Sequence, residues 1–437
     1  MEALTAAQTA ARLGVRTETL YAYVSRGLIS RERGAHGSLF DPLEVERFAR
    51  TRRRATSPSH GAAPSAGADG SPLAVIDTDI ALIEDGELWI RGVPIDELVA
   101  RAGDQPRFDA VVRWLFARTD APSDVALPLE RPESAAALRV VAALPPAAGA
   151  FSRLLAAVAA LAADDPERYD LRTEAVARVA PRLVAGLVDA LPTVGVEQDV
   201  SEGTTSTRVA GVEHVAARLW PRLTALPASP DRVRVLDAAL VLLVDHDMAA
   251  STLAARAAAS ARAHPYAVVA AGFGALDSAL HGAVSAAVHA LLRQVQDGAD
   301  PAAAVATATR LGGAGIPGFG QLLYPEGDPR ARLLLRLMRE TGDPRAHAAL
   351  GLGERVAAVV RARTGLHPTV DLALAVMALA WNMPADAGET VFAVARAAGW
   401  CAHAQDEYGR APLRLRPIGH YVGPDAADLQ RPGRNAR

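Results

Sequence analysis

The stretch Leu280-His281-Gly282-Ala283-Val284 places a histidine and a glycine directly before a predicted helix. The apolar residues that follow recur with the spacing of a core-facing helical stripe; they are Val284, Ala287, Val288, Leu291 and Leu292. His281 is therefore expected at or just outside the helix N-terminus, where unpaired N–H groups and the helix dipole disfavour an imidazolium. A neutral histidine can donate a hydrogen bond to an oxygen that gains negative charge. The alternative is a buried histidine paired with a backbone carbonyl.

The composition limits the class of protein. With 437 residues, 50% of them apolar, the chain can form two or three domains, and its abundant alanine favours closely packed helices. The net charge of −3 argues against nucleic-acid binding by the whole surface. The absence of lysine excludes a P-loop, and the single cysteine, Cys401, excludes an internal disulfide or a cysteine-cluster metal site. Without a leader or a membrane-length apolar run, we expect a soluble cytoplasmic protein.

Residues 1–54 are predicted to form a small unit. Thr5 can cap a first helix that Gly14 ends, a second helix covers 16–25, and a charged hairpin covers 31–40. Asp41 followed by Pro42 then begins a third helix.

This order, with Thr19-Leu20-Tyr21-Ala22-Tyr23 followed by Gly27-Leu28-Ile29, resembles a MerR-type winged helix-turn-helix domain. Many members of that family have arginine and tyrosine where this chain has Tyr21 and Ala22. The resemblance implies DNA binding, with Tyr21 as a contact and a set of arginines on phosphates: Arg50, Arg52, Arg53 and Arg54. The alternative is a packing or dimer module that reads no sequence.

The rest of the chain predicts a mainly α body. Residues 55–71 are rich in Ala, Ser, Pro and Gly and predict a flexible linker that lets the two bodies move independently. A hairpin is predicted over 74–90, with its turn at Glu84-Asp85-Gly86. Helical patterns then dominate, apart from a polar loop at 193–210. The clearest cover Phe108–Phe116, Ala135–Ala143, Arg153–Ala162, Arg172–Ala190 and Val233–Val244.

Further blocks with polar or glycine residues lie downstream. They are Asp245–Thr252, Gly315–Gln321 with Gly327-Asp328-Pro329-Arg330, Val370-Asp371-Leu372, Arg396 on the helix Val391–Trp400, and Arg416-Pro417 before His420-Tyr421-Val422-Gly423. Each block alone has a structural explanation, such as a helix cap or a connection.

Together with the His281-Gly282 block, and in this order, these blocks resemble the citrate synthase family over roughly Pro72 to Pro424. The resemblance implies a large and a small helical domain, within residues 72–425, where the small domain covers about 284–376 and closes over the substrates. Residues 426–437 would form a tail.

The resemblance implies condensation of acetyl-CoA with oxaloacetate to give citrate and CoA, without a metal or redox cofactor. Asp371, kept ionised by its position at a helix start, would be the base, and neutral His281 would stabilise the enol. His246 and the three arginines Arg330, Arg396 and Arg416 would bind oxaloacetate. In the family, the arginine matched by Arg416 reaches into the neighbouring subunit, which implies at least a homodimer with shared sites.

Gln321 departs from the family pattern, which has a histidine at this position of the loop to polarise the oxaloacetate ketone. An amide can donate a hydrogen bond but cannot carry positive charge. Two alternatives to citrate synthase therefore stay open. One is 2-methylcitrate synthase, which takes propionyl-CoA, because one methylene discriminates weakly. The other is a catalytically weak sensor of a tricarboxylate or acyl-CoA, coupled to DNA binding by residues 1–54.

Overall fold

The computed structural model describes residues 3–34, 37–56, 75–100, 107–117, 119, 121–123, 127–132, 134–194, 213–278, 281–282, 284–311 and 315–417, without the side chains of residues 50 and 53–56. The predicted linker after residue 56, most of the predicted loop at 193–210, the block at His420 and the tail lie outside these ranges. Within them, no helix combines the length and the hydropathy that crossing a bilayer requires.

The N-terminal unit has the predicted order of elements and one additional short strand. Its elements are β1 (Leu4–Thr5), α1 (Ala6–Leu13), α2 (Thr17–Ser25), β2 (Glu32–Gly34), β3 (Gly37–Phe40) and α3 (Pro42–Thr56). The strands form an antiparallel sheet in the order β1-β3-β2. Thr5 and Gln8 form a capping box at the start of α1, and Gly14 ends it with a φ of 63°. Helix α3 reaches Thr56 and so covers the first residues of the predicted linker.

A second small sheet precedes the helical body. It contains β4 (Ala81–Glu84), β5 (Glu87–Ile90) and β6 (Val93–Pro94) in sequence order. Asp85 and Gly86 connect β4 to β5 with φ values of 52° and 78°, as a two-residue turn between antiparallel strands requires. The predicted hairpin is therefore confirmed, although its strands are shorter than the alternating pattern.

The helical body has a buried helix at its centre. The helices before residue 280 are α4 (Ile95–Ala100), α5 (Phe108–Ala117), α6 (Ala135–Ala142), α7 (Ala150–Asp164), α8 (Thr173–Ala190), α9 (Val215–Leu223), α10 (Pro230–Leu243), α11 (Ala250–Ser260) and α12 (Pro265–Leu276). Those after it are α13 (Val284–Gln296), α14 (Pro301–Leu311), α15 (Pro329–Glu340), α16 (Pro344–Thr364), α17 (Val370–Ala380) and α18 (Ala387–Tyr408). Helix α18 is buried along most of its length and packs against α8, α10, α11, α12 and α17.

Helices α13 to α17 pack on one another, and they occupy the segment predicted as the small domain. In the stripe of α13, Val288, Leu291 and Leu292 are buried as predicted. Ala287 is exposed, and Ser285 takes part in the buried face instead.

The N-terminal unit does not stand apart from the body. Leu43 of α3 is fully buried within the main hydrophobic core, and α3 packs against α14 and α16. The expectation of two independently moving bodies is therefore wrong for this structure, because apolar packing and polar contacts join them. The composition of residues 55–71 predicts only how the two parts are covalently connected. It does not predict whether the surfaces of the N-terminal unit and the body pack together.

Candidate active site

His281 precedes α13 by three residues, at the predicted place, and Ser251 on α11 contacts it. The Ser251 hydroxyl lies 2.8 Å from His281 Nε2, and the Phe392 ring stands edge-on to the imidazole at 5.5 Å. Burial, reinforced by the nearby Arg396 guanidinium, lowers the pKa of His281 to about 4. The imidazole is therefore neutral at pH 7, as predicted, but the cause is burial and a neighbouring cation. If Ser251 donates to Nε2, the ring proton stays on Nδ1, free to donate elsewhere.

Arg396 lies in the middle of α18 and is 1% exposed. Its Nε donates to the backbone oxygen of Leu243 at 2.9 Å, and its guanidinium lies 4.4 Å from the centre of the Phe392 ring. Among the described residues, Nη1 and Nη2 have no hydrogen-bond partner. Burial lowers the pKa of Arg396 to about 10, which still leaves it charged at pH 7. A buried guanidinium with two unused donors is suited to a carboxylate.

Asp328 fixes Arg330 at the start of α15. Asp328 Oδ1 and Oδ2 accept from Arg330 Nε and Nη2 at 3.0 and 2.9 Å, and Oδ1 also accepts from the Arg330 backbone N–H. The same carboxylate accepts from the backbone N–H of Val370 at 3.0 Å, which joins the start of α15 to the start of α17. Burial is the largest single effect and acts to lower the pKa of Arg330, but Asp328, Tyr324 and Asp371 together outweigh it, so the net pKa is raised. Arg330 is therefore a fixed cation beside Asp371.

Asp371 lies in the first turn of α17, and its carboxylate accepts from the Thr369 hydroxyl at 3.1 Å. Burial raises the pKa of Asp371 above its usual value, although Arg330 and Thr369 oppose the shift. This upward shift is opposite to the lowering that a helix N-terminus alone predicts, because desolvation is its largest cause. The consequence favours the assigned role, since a carboxylate with a raised pKa is a stronger base.

His246 is buried beside Tyr324 and lies near the two cations. The two rings lie 5.5 Å apart, and the Arg330 guanidinium lies 5.6 Å from the Tyr324 ring centre. Burial, together with Arg330 and Arg396, lowers the pKa of His246 well below its usual value. Within the described chain, His246 Nε2 and the Tyr324 hydroxyl have no hydrogen-bond partner. The structure thus offers two neutral polar groups beside two guanidinium groups.

These residues form one group, which we call the active-site cluster: His246, His281, Arg330, Asp371 and Arg396. Electrostatic interactions connect them, because His246 is influenced by Arg330, Arg396 and His281, and Asp371 by Arg330. Two cations, two neutral imidazoles and one carboxylate can bind a dianion and abstract a proton.

A buried polar chain lies behind Arg396. Asp245 Oδ2 is 3.2 Å from His403 Nε2, and His403 Nδ1 is 2.8 Å from Arg256 Nη1. Arg256 in turn pairs with Asp406 at 2.8 Å and with Glu407 at 3.0 Å. A guanidinium can only donate, so His403 Nδ1 accepts from Arg256 and its Nε2–H donates to Asp245.

Gly399 allows α18 to approach this chain closely. A Cβ at this position would lie 2.2 Å from the Val244 carbonyl oxygen and 3.0 Å from Asp245 Oδ1. Gly399, which precedes Trp400, is therefore required because a side chain at this position would clash with Val244 and Asp245.

Gln321 lies at the end of the glycine loop and is partly buried. Its backbone carbonyl accepts from the Tyr324 N–H at 3.2 Å, and Gly320 before it has a φ of 85°. The loop pairs with the segment before α17, because Gly320 N–H donates to His367 O at 3.0 Å and Thr369 N–H donates to Gly318 O at 2.9 Å. Gln321 and Asp371 are thus carried by two bridged segments.

The structure of a single chain does not bring Arg416 to the active-site cluster. Arg416 is exposed on the C-terminal segment, and its backbone N–H donates to Leu413 O at 3.1 Å. Its predicted role in a partner's site stays a prediction.

The five predicted DNA contacts differ in their surroundings. Tyr21 is exposed, with Arg31 5.9 Å from its ring centre. Arg52 instead donates to the Leu13 carbonyl at 3.1 Å and packs on Tyr23, so it serves the fold of the unit. The side chains of Arg50, Arg53 and Arg54 lie outside the described part.

Several contributors to the site were not assigned from the sequence: Ser251, Tyr324, Asp328, Phe392 and His403. Ser251 and Asp328 stand inside the quoted blocks, so their positions could have drawn attention. The His403–Asp245 pair joins residues 158 positions apart and has no local signal.

Comparison with known proteins supports the resemblance. The model of the family "Citrate synthase, C-terminal domain" matches residues 70–418 and leaves residues 1–69 outside it. The chain is 32% identical to putative citrate synthase 2 of Mycobacterium tuberculosis over 213 residues, which are 48% of this chain and only 56% of the relative. It is 26% identical to 2-methylcitrate synthase 2 of Corynebacterium glutamicum, over 67% of this chain and 76% of that one.

The fold agrees with that of solved structures. The citrate synthase of Thermoplasma acidophilum in complex with carboxymethyl coenzyme A and oxaloacetate matches with a TM-score of 0.61 and 22% identity, over 81% of this chain and 95% of that one. At this identity the match concerns the fold alone. The family match over most of the chain, the helical fold and the order of the blocks lead to one conclusion: this chain belongs to the citrate synthase family.

Proposed function

We propose that this protein condenses acetyl-CoA with oxaloacetate and hydrolyses the resulting thioester to give citrate and CoA. The observation that carries the proposal is the buried fork of Arg396, whose Nη1 and Nη2 have no partner among the described residues and lie near Arg330. An unpaired buried charge is costly, so such a fork indicates an anion as its natural partner. Oxaloacetate offers two carboxylates to the two guanidinium groups.

The chemistry follows from the other members of the active-site cluster. Asp371 takes a proton from the thioester methyl group while His281 donates a hydrogen bond to the thioester oxygen, which becomes the enol oxygen. The enol carbon attacks the oxaloacetate ketone carbon and forms the new C–C bond. The ketone oxygen, which receives hydrogen bonds from His246 and Gln321, becomes a hydroxyl, so that its gain of one proton balances the proton removed from the methyl group. Water then cleaves the thioester and releases CoA. No step needs a metal or a redox cofactor.

The direct test is a CoA-release assay with purified protein, oxaloacetate and either acetyl-CoA or propionyl-CoA. We expect release only when both substrates are present, and loss of release in Asp371→Asn. A higher kcat/KM with propionyl-CoA would make the protein a 2-methylcitrate synthase, a possibility that the Corynebacterium glutamicum relative supports. Absence of release with both thioesters would refute the enzymatic proposal.

We further propose that residues 1–54 form a MerR-type helix-turn-helix unit. Helices α1 and α2, the β2–β3 hairpin and α3 support this reading, and Tyr21 with Arg31 forms an exposed contact surface. A catalytically weak sensor is the alternative function, and the docking of this unit on the body favours it. A mobility-shift assay with the protein's own promoter fragment, with and without citrate, tests this reading.

A homodimer is part of the proposal, with Arg416 completing the site of the partner subunit. Arg416 is exposed in the single chain. This exposure supports the role, because an arginine that binds substrate in the partner's site must lie at the surface of its own chain.

A further inference from the structure

Arg12 of the N-terminal unit is 5% exposed, although it lies on a small helix. Its Nε pairs with Glu46 of the same unit. Its two terminal nitrogens point into the body, where Nη1 donates to Thr309 O at 3.0 Å and Nη2 donates to Gly315 O at 2.6 Å. One guanidinium thus holds the last turn of α14 and the first residue of the glycine loop.

A second contact lies at the end of α16. Asp41 forms an ion pair with Arg363, while its other carboxylate oxygen accepts from the Leu43 N–H at 3.1 Å and caps α3. Leu43, two residues after Asp41, is fully buried in the main hydrophobic core. The N-terminal unit therefore holds two separate points of the body through charged groups and one apolar contact.

Each of these two contacts lies at the start of a segment that leads to a residue of the site. Gly315 begins the loop that ends at Gln321, and Arg363 lies in the last turn of α16, before the segment that leads to Asp371. The two segments are bridged by the Gly320–His367 and Thr369–Gly318 hydrogen bonds. A displacement of Gly315 or of Arg363 is therefore transmitted to both segments. The substrate-binding residues His246 and Arg396 belong to other elements and are not attached in this way.

We propose that Arg12 and Arg363 are positioning residues, through which the N-terminal unit sets the placement of Gln321 and Asp371. The proposal rests on the proposed function, because it assigns these loops a part in the reaction. Small misplacements of reacting groups cost much rate, so loss of the contact should lower kcat by about 10- to 100-fold. Oxaloacetate affinity, which depends on His246, Arg330 and Arg396, should change by less than about 3-fold, because none of these residues lies on the loop 315–321 or between Arg363 and Asp371.

The experiment uses three variants of the full chain: Arg12→Gln, Arg363→Gln and the control Arg26→Gln, an exposed arginine of the same unit. We would measure kcat, oxaloacetate Kd by calorimetry, Tm, and hydrogen exchange at the amides of Gly320 and Thr369. We expect Arg12→Gln and Arg363→Gln to lower kcat and speed exchange, with Kd and Tm nearly unchanged and Arg26→Gln like wild type. Arg363 is partly exposed, so its variant serves if Arg12→Gln does not fold.

Unchanged kcat in both folded variants would overturn the proposal, whatever the exchange rates. A joint fall of kcat, oxaloacetate affinity and Tm would also overturn it, since the contact would then be only structural. If the wild-type protein releases no CoA with either thioester, the proposed function fails, and the exchange rates alone decide whether the N-terminal unit orders the two segments.

Discussion

His403 Nε2 lies 3.2 Å from Asp245 Oδ2, and both side chains are fully buried behind Arg396. Asp245 is the anion that most favours the charged form of Arg396, yet its hydrogen bond goes to His403. Among the described residues, Nη1 and Nη2 of Arg396 thereby stay available for a substrate. Arg256 strengthens this arrangement, because it makes His403 Nδ1 an acceptor and so fixes Nε2 as the donor.

We predict that His403→Leu weakens oxaloacetate binding by about 10-fold, because Asp245 loses its donor and turns to Arg396. His403→Gln is the matched control, since its amide can donate to Asp245 and accept from Arg256. Calorimetry with oxaloacetate distinguishes the two variants. Equal affinity in both would show that His403 only fills space.

Asp371→Asn should lower kcat by about 10²- to 10⁴-fold and leave oxaloacetate Kd nearly unchanged, because the amide keeps the shape and loses the base. The pH dependence gives a second test. Because burial raises the pKa of Asp371, the acid limb of kcat/KM should lie above the usual aspartate range and disappear in the variant. His281, with a pKa of about 4, should add no inflection between pH 6 and 8. Near wild-type turnover in Asp371→Asn would reduce this residue to a helix cap.

Gln321→His should raise kcat more than it changes KM. The imidazole donates a stronger hydrogen bond to the oxygen that becomes an alkoxide, and this charge exists only in the transition state. The gain should be below the 10²- to 10³-fold effect of a full oxyanion-hole donor, because the Gln321 amide can already donate one hydrogen bond at this position. Steady-state kinetics with both thioesters decides the matter. An unchanged or reduced kcat would mean that Gln321 already suits the substrate.

Arg416→Ala should weaken oxaloacetate binding, and mixing it with Asp371→Asn should restore part of the activity. In a mixed dimer with shared sites, both defects fall in one site and the other is intact. Activity is measured after subunit exchange, which is verified by mass spectrometry. Failure to recover activity after verified exchange would argue that each site belongs to one chain.

Glu389→Gln should raise Tm at pH 8 by a few degrees and have little effect at pH 4.5. Burial, with Asp277 and Asp386 nearby, raises the pKa of Glu389 to about 7. Between its unfolded value near 4.5 and about 7, the folded chain binds more protons than the unfolded chain, so stability falls as pH rises through this window. Calorimetric scans at both pH values check this. If Glu389→Gln changes Tm relative to wild type by the same amount at both pH values, the charge of Glu389 is not involved.

Local signals predicted the elements well. Thr5, Asp41 and the Asp85-Gly86 turn lie where their caps and turn were expected, since each depends on a few adjacent residues. The order of blocks also led to His246, His281, Arg330, Asp371 and Arg396, which the structure brings together.

What sequence reasoning missed depends on distant contacts. Ser251 meets His281 and His403 meets Asp245 only after folding. The direction of the Asp371 pKa shift was also beyond reach, because burial competes with the helix dipole and no local pattern gives its extent. The docking of the N-terminal unit through Arg12 had no signal, since its acceptors are backbone carbonyls.

The Arg12 contact has a thermodynamic consequence, because it joins the N-terminal surface to the loops of the site. Suppose that a ligand of residues 3–56 changes the affinity for oxaloacetate by some factor. Oxaloacetate must then change the affinity for that ligand by the same factor. Titrating a DNA fragment with and without oxaloacetate would then measure the coupling from one side, and titrating oxaloacetate with and without that fragment would measure it from the other. Equality of the two factors holds for binding and does not extend to kcat.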